Sequence, residues 1–220
     1  GDAGTVKLSA TEGTVVNTGS IEAVSESGEG GQVQVLGDRV GLFESSEIDV
    51  SGAAGGGTAL VGGDYKGQGD IPTASRTSVG ANATIRADAT EDGDGGEIII
   101  WSEEITKFYG HASATGAGSG DGGLVEVSGK QDLSFAGTVA LGAAEGSGGT
   151  LLLDPATITI ADGGEDASPQ DDLGFSDNYY QITISEVTLE NTAAGGNAEI
   201  VLEATNDIVM NDLSDDALTL

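Results

Sequence analysis

Three glycine pairs set the frame into which the rest of the chain has to fit. Gly95-Gly96 opens Glu97-Ile98-Ile99-Ile100-Trp101, Gly122-Gly123 opens Leu124-Val125-Glu126-Val127-Ser128, and Gly148-Gly149 opens Thr150-Leu151-Leu152-Leu153-Asp154. From Gly96 to Gly123 is 27 positions, and from Gly123 to Gly149 is 26. At the 27-residue offset Phe108 falls on Phe135, Gly110 on Gly137, and Ala112 and Ala114 on Val139 and Leu141. A fixed period of this length, with turn glycines and short alternating apolar runs, is the signature of a stacked repeat.

The register extends backwards. Gly4 opens Thr5-Val6-Lys7-Leu8, Gly31 opens Gln32-Val33-Gln34-Val35, and Gly57 opens Thr58-Ala59-Leu60-Val61. Within a repeat the alternation marks three short strands, as where Leu133 and Phe135 alternate inward, Gly137 turns, and Val139 and Leu141 alternate inward again. Hairpins reverse direction after two to five residues, whereas a constant offset lays like strands side by side in parallel, about 4.8 Å apart. The expectation is therefore a parallel β-helix of three-strand rungs of 26 to 27 residues, about seven rungs in all, a rod roughly 30 to 35 Å long. Val6, Val33, Ala59, Ile98, Val125 and Leu151 should form one buried column, and Phe108 over Phe135 another. Glycines at the corners should serve both for positive φ and for want of room for a Cβ.

Composition narrows the function classes. Glycine is 38 of 220 residues, and seven Lys+Arg face 37 Asp+Glu for a formal charge of −30. Because 37% of residues are apolar and alternate with period two, a core can form and the charge belongs to a solvated surface. A field of that sign repels phosphate backbones and anionic lipid, which argues against nucleic-acid partners and membrane-surface docking. There is no apolar run near 18 residues to insert in a bilayer. Cysteine is absent, so stability has to come from stacking and not from disulfides. The chain begins at Gly1 and stops within an alternating pattern, as a fragment of a longer protein would.

Residues 1–160 read as regular rungs with an insertion at about 64–77, where the step from Gly57 to Gly96 lengthens to 39 positions. Residues 161–220 read as a less regular continuation, with an acidic loop at about 162–177 that holds Pro169, followed by alternation at Ile182/Ile184, Val187/Leu189, Ile200/Leu202, Ile208/Met210 and Leu218/Leu220.

Several stretches carry more than a period: GQVQVLGDRVGLFESSEIDVSG (31 to 52), GGDYKGQGDIPTASRT (62 to 77), ATIRADATEDGDGG (83 to 96), FYGHASATGAGSGDGGLVEVSGK (108 to 130) and GTLLLDPATITI (149 to 160). In these words the chain resembles the repeat region of filamentous-haemagglutinin-like adhesins, the exported partners of two-partner secretion systems. The resemblance covers over half the chain and implies a right-handed parallel β-helix, export through an outer-membrane transporter, and display on the surface of a Gram-negative-type bacterium. The family's amino-terminal secretion domain has no counterpart here.

Candidate sites are few. Asp88, Asp92 and Asp94 lie in an oxygen-rich loop of the kind a calcium ion needs, although an EF-hand frame from Asp88 puts Ile99 where a bidentate glutamate belongs. Tyr65 and Trp101 are candidates to flank a sugar-binding groove, since aromatic faces beside carboxylates suit glycans. Against the groove stands a covering role: strand parity leaves Leu36, Leu60, Ile99 and Trp101 facing outward, and Asp64 to Thr77, with Tyr65, Ile71 and Pro72, is placed to fold over that patch. The pair Asp171-Asp172 is not on a strand face, and the single histidine, His111, cannot build a triad with a second one. Lys7 and Lys107 point outward from distant rungs, so no basic group serves a polysaccharide lyase. No catalytic residue and no required cofactor are assigned.

The sequence thus reads as a non-catalytic segment of a secreted surface adhesin, a stiff scaffold whose partners are host-cell, neighbouring-cell or matrix surfaces, glycans included. The alternatives are an extracellular filament or matrix protein that associates end to end, and the stalk of a contact-dependent toxin.

Overall fold

The sequence offset reappears as strand register. The computed structural model describes residues 1–162, 183–194, 198–211, 213 and 217–218. The first repeat supplies β1 (Thr5–Asn17) and β2 (Ser20–Glu22), and the second β3 (Gln32–Leu42) and β4 (Glu47–Asp49). The third supplies β5 (Thr58–Val61), β6 (Arg76–Val79) and β7 (Thr84–Arg86); the fourth β8 (Glu97–Ser102), β9 (Ile105–Phe108) and β10 (His111–Ser113). The fifth supplies β11 (Leu124–Gly129), β12 (Asp132–Phe135) and β13 (Thr138–Ala140), and β14 (Thr150–Leu153) and β15 (Thr157–Ala161) follow. After them come β16 (Thr183–Ser185), the helix α1 (Glu186–Ala194), β17 (Glu199–Leu202) and β18 (Asp207–Met210).

All the described strand pairs are parallel, and Val6 lies beside Val33, Val33 beside Ala59, Ala59 beside Ile98, Ile98 beside Val125, and Val125 beside Leu151. Each of these inward residues except Val6 is fully buried. The rings of Phe108 and Phe135 stack with centroids 5.6 Å apart and planes 16° from parallel. Like side chains therefore meet like, and removal of their apolar surface from water is the main stabilising term, about 1.5 to 3 kcal/mol for each large aliphatic or aromatic side chain.

The expected right-handed parallel β-helix of three-strand rungs does not form. The described strands fall into three unequal sheets: a curled, half-barrel sheet of ten strands, a sheet of five, and a separate sheet of three in the order β16-β15-β18. The cause lies in β1 and β3. In both, the first and second strands of the repeat run on as one long strand, with only an irregularity between Ala10 and Thr14. The first half of β3 pairs with β5 and its second half with β6, so both strand columns spring from it and share one sheet. A second departure follows Ser185, where the alternation of Val187 and Leu189 suggested a strand. Glu186–Ala194 is helical instead, burying Glu186, Leu189, Thr192 and Ala193 on one face, with Glu186 in the first turn where the helix dipole favours a negative charge. The expected acidic loop at 162–177 lies outside the described residues apart from Asp162.

The glycine pairs are explained by close approach alone. A Cβ on Gly31 would lie 2.0 Å from the Gly4 carbonyl oxygen, one on Gly57 2.0 Å from that of Gly31, one on Gly96 2.0 Å from that of Gly57, and one on Gly123 2.0 Å from that of Gly96. The same oxygens accept the next strands: the amides of Gln32, Thr58, Glu97 and Leu124 donate to the carbonyls of Gly4, Gly31, Gly57 and Gly96, each at 2.9 Å. None of these glycines has φ in the left-handed region, so the positive-φ half of the expectation is corrected. Positive φ is found elsewhere, at Gly62, Gly67, Gly69 and Gly118 among others.

Candidate functional site

The outer face of β8 differs from a solvated strand face because something lies on it. Within β8, Ile98 and Ile100 face the main core while Ile99 and Trp101 face the other way, yet all four are buried. Leu60, Ile99 and Trp101 form a second apolar cluster against which Ile71 and Leu124 pack. The cover is the insertion. It leaves the stack after Val61 and returns where the Ala74 amide donates to the Gly62 carbonyl at 2.6 Å. The Asp64 carboxylate accepts the Tyr65 amide at 2.8 Å and starts a single 3-10 turn, Tyr65–Gly67. A Cβ on Gly67 would lie 2.2 Å from the Trp101 ring, so the backbone there rests directly on the indole.

Trp101 is consequently 4% exposed, while Tyr65 is 39% exposed. The indole offers no open face to a ligand, and Tyr65 and Trp101 do not line a groove together. Tyr65 instead has the Lys66 ammonium 5.6 Å from its ring centroid.

Sequence reasoning passed over Glu126. It stands on β11 between Ile99 and Leu152 in the outward column of the first strands, and it is 0% exposed. Its Oε2 accepts the Lys66 backbone amide at 2.9 Å, whereas its Oε1 has no hydrogen-bond partner among the described residues. Burial pushes the Glu126 carboxyl up to about 7, against the pull of the Lys66 amide and the Ser128 hydroxyl. The Lys66 ammonium is engaged elsewhere, with Glu203 at 2.6 Å. Asp154, also raised chiefly by burial, adds its negative charge nearby. The signal that could have found Glu126 was its position: an outward carboxylate in a column of Leu60, Ile99 and Leu152, next to an insertion with something to cover.

The three calcium candidates have other work. Asp88 Oδ1 accepts the Thr115 amide and hydroxyl, each at 2.8 Å, and the Ser113 hydroxyl. Asp92 Oδ1 accepts the Ser119 amide at 2.9 Å and hydroxyl at 3.0 Å, and Asp94 Oδ1 accepts the Asp121 amide at 2.8 Å. Asp121 in turn accepts the Ser147 amide at 2.7 Å. Each carboxylate thus satisfies a backbone donor one repeat further on, as an N-cap side chain does within a helix. The structure does not gather Asp88, Asp92 and Asp94 around one point, and no three Asp, Glu, His or Cys side chains among the described residues form a cluster able to hold a metal ion.

Two expected results follow. Asp88→Ala, which leaves donors of the next repeat unpaired, should lower the unfolding free energy by about 1 to 3 kcal/mol in urea titration. For Asp92, the Ser119 amide and hydroxyl hold the carboxyl below its ordinary value. Its stabilising contribution is therefore present above the unfolded pKa and lost as pH falls through the folded one. Asp92→Asn should flatten the acid limb of the melting curve below about pH 4, followed by circular dichroism.

His111 Nδ1, on β10, sits 2.7 Å from the hydroxyl of Thr138, its register partner on the adjacent β13, and no second histidine exists to join it. Asp171-Asp172 lies outside the described residues. What the described residues define is a repetitive, mostly parallel β protein with one capped apolar face and carboxylates that bind its repeats together. No described helix is long and apolar enough to cross a membrane. A scan against protein-family models finds no match, and neither does a search of curated proteins.

Proposed function

We propose that the chain is a non-catalytic segment of a secreted bacterial surface adhesin, a stiff scaffold that holds attachment regions away from the cell. The observation that carries this reading is the repeat-to-repeat continuity of backbone hydrogen bonds at one register, from β1 through β3, β5, β8, β11 and β14 to β17. A stack whose interfaces are satisfied by backbone and by Asp carboxylates is rigid without cofactor or disulfide, which is what a spacer requires. The wording of residues 31–160, similar to filamentous-haemagglutinin-like repeats, supports export through an outer-membrane transporter and display on the surface of a Gram-negative-type bacterium.

The partner is a host-cell, neighbouring-cell or matrix surface, with glycans the first class to try. Deleting these residues from the parent gene should reduce attachment of the producing cells to such surfaces while leaving their growth unchanged. Attachment that is unaffected by the deletion overturns the proposal. A glycan array probed with the purified chain, with calcium and with chelator, then identifies the receptor class.

A further inference from the structure

We infer that the insertion is a pH-operated cover and that Glu126 is its latch: with the carboxyl neutral the cover stays closed over Trp101, and with the carboxyl ionised it is released. The inference stands on the contacts at the tip of the insertion and is independent of the adhesin reading.

Three contacts hold that tip down. The Lys66 amide donates to Glu126 Oε2, the Lys66 ammonium reaches across to Glu203, and the Gly67 backbone lies on the Trp101 indole. Two of the three pass through Lys66, which adopts φ 53, a left-handed conformation that is unfavourable for a residue with a side chain and persists only while neighbours hold it. Gly62, Gly67 and Gly69 also have positive φ, so the segment carries its own pivots. Its two ends stay tied by the bond between Ala74 and Gly62, and opening need not disturb the stack.

Every group that faces Glu126 bears on its charge. Along its own strand Ser128 offers a hydroxyl, and from the neighbouring strands Ile99 and Leu152 offer only hydrocarbon. From the insertion comes Lys66, whose ammonium is bonded to Glu203 beyond β17 and exerts only the weakest of the pulls on Glu126. From beyond β14 comes Asp154, of the same sign as an ionised Glu126. At the other end of this face Glu97 and Asp64 are a further like-charged pair, and Glu97 is raised by burial and then by Asp64. A carboxylate formed at Glu126 is thus buried, has no cation bonded to it among the described residues, and has one oxygen unpaired; opening the cover returns it to water.

The direction follows from linkage. The closed form holds the Glu126 proton up to about pH 7, against an ordinary glutamate value of 4.5. The advantage of the closed form is full below the ordinary value and is lost as pH rises through the closed one. Over that interval the ratio of closed to open should fall on the order of a hundredfold.

Trp101 is the only tryptophan in the chain, so its fluorescence reports the cover alone. Between pH 5 and pH 8 the wild-type chain should show a red shift of emission and a several-fold rise in acrylamide quenching, with an unchanged far-ultraviolet spectrum. Glu126→Gln, which keeps the acceptor for Lys66 but cannot ionise, should stay protected at both pH values. A wild-type signal that does not move with pH overturns the inference, as does a variant that tracks the wild type. Should the variant not fold, hydrogen exchange in the wild-type chain decides. The Lys66 amide, measured against the Gly62 amide bonded to Val35 in the stack, should lose protection over the same interval, and a constant ratio overturns the latch.

Discussion

Gly123→Ala should remove more than about 4 kcal/mol of unfolding free energy, most of what a domain of ordinary stability has. The added methyl would stand 2.0 Å from the Gly96 carbonyl oxygen and 2.6 Å from the Gly95 carbonyl carbon, and both are backbone atoms that cannot swing aside. Moving them breaks the bond from Leu124 to Gly96 and pushes the fourth and fifth repeats apart. Gly4→Ala is the matched control, since a Cβ there meets nothing within 4 Å. It should change stability by no more than about 1 kcal/mol in either direction. Equilibrium denaturation of the two variants checks the pair, and a loss below about 1 kcal/mol at Gly123 would mean that the repeats are not held at the spacing described.

At Phe135 the expected loss is of similar size for a different reason. The ring is 3% exposed and stacked on Phe108, so Phe135→Ala leaves a cavity and should cost about 3 to 5 kcal/mol. Phe135→Asp should cost more, because a carboxylate enters the same place with no partner, and the chain should not give a cooperative melt. The neighbouring Ser134 faces outward and loses only its contact with the Tyr109 hydroxyl at 3.0 Å when replaced by alanine. Ser134→Ala should therefore cost about 1 kcal/mol or less. Comparable losses at positions 134 and 135 would contradict the strand parity.

The contrast between Phe135 and Ser134 was readable from the sequence, because parity and the 27-residue offset are local properties of the chain. The register of Val6, Val33, Ala59, Ile98, Val125 and Leu151 was readable for the same reason. How the strands divide into sheets was not. That depends on whether the chain turns between the first and second strands of a repeat, and in β1 and β3 it runs straight on. Alternation also misled at Val187 and Leu189, where the packing of Leu189 and Ala193, four residues apart, favours a helix. At the candidate site Trp101 and Tyr65 were visible as aromatics beside an insertion, but their burial is decided by where Gly67 comes to rest. Glu126 escaped notice because an outward glutamate ordinarily means solvent. The Asp88, Asp92 and Asp94 carboxylates were visible as oxygen-rich turns, while the donors they satisfy belong to the next repeat and have no mark of their own.

The third repeat spans 39 positions from Gly57 to Gly96, yet Thr58 still pairs with Glu97 and Val61 with Ile100 as if no residues had been added. The excursion begins and ends at a single hydrogen bond between Ala74 and Gly62. The register of the stack is therefore decoupled from the length of the excursion, although the excursion still has the apolar face of Leu60, Ile99 and Trp101 to cover. An engineer can use the same junction as a socket for a foreign peptide, provided that the new segment still covers the Trp101 face.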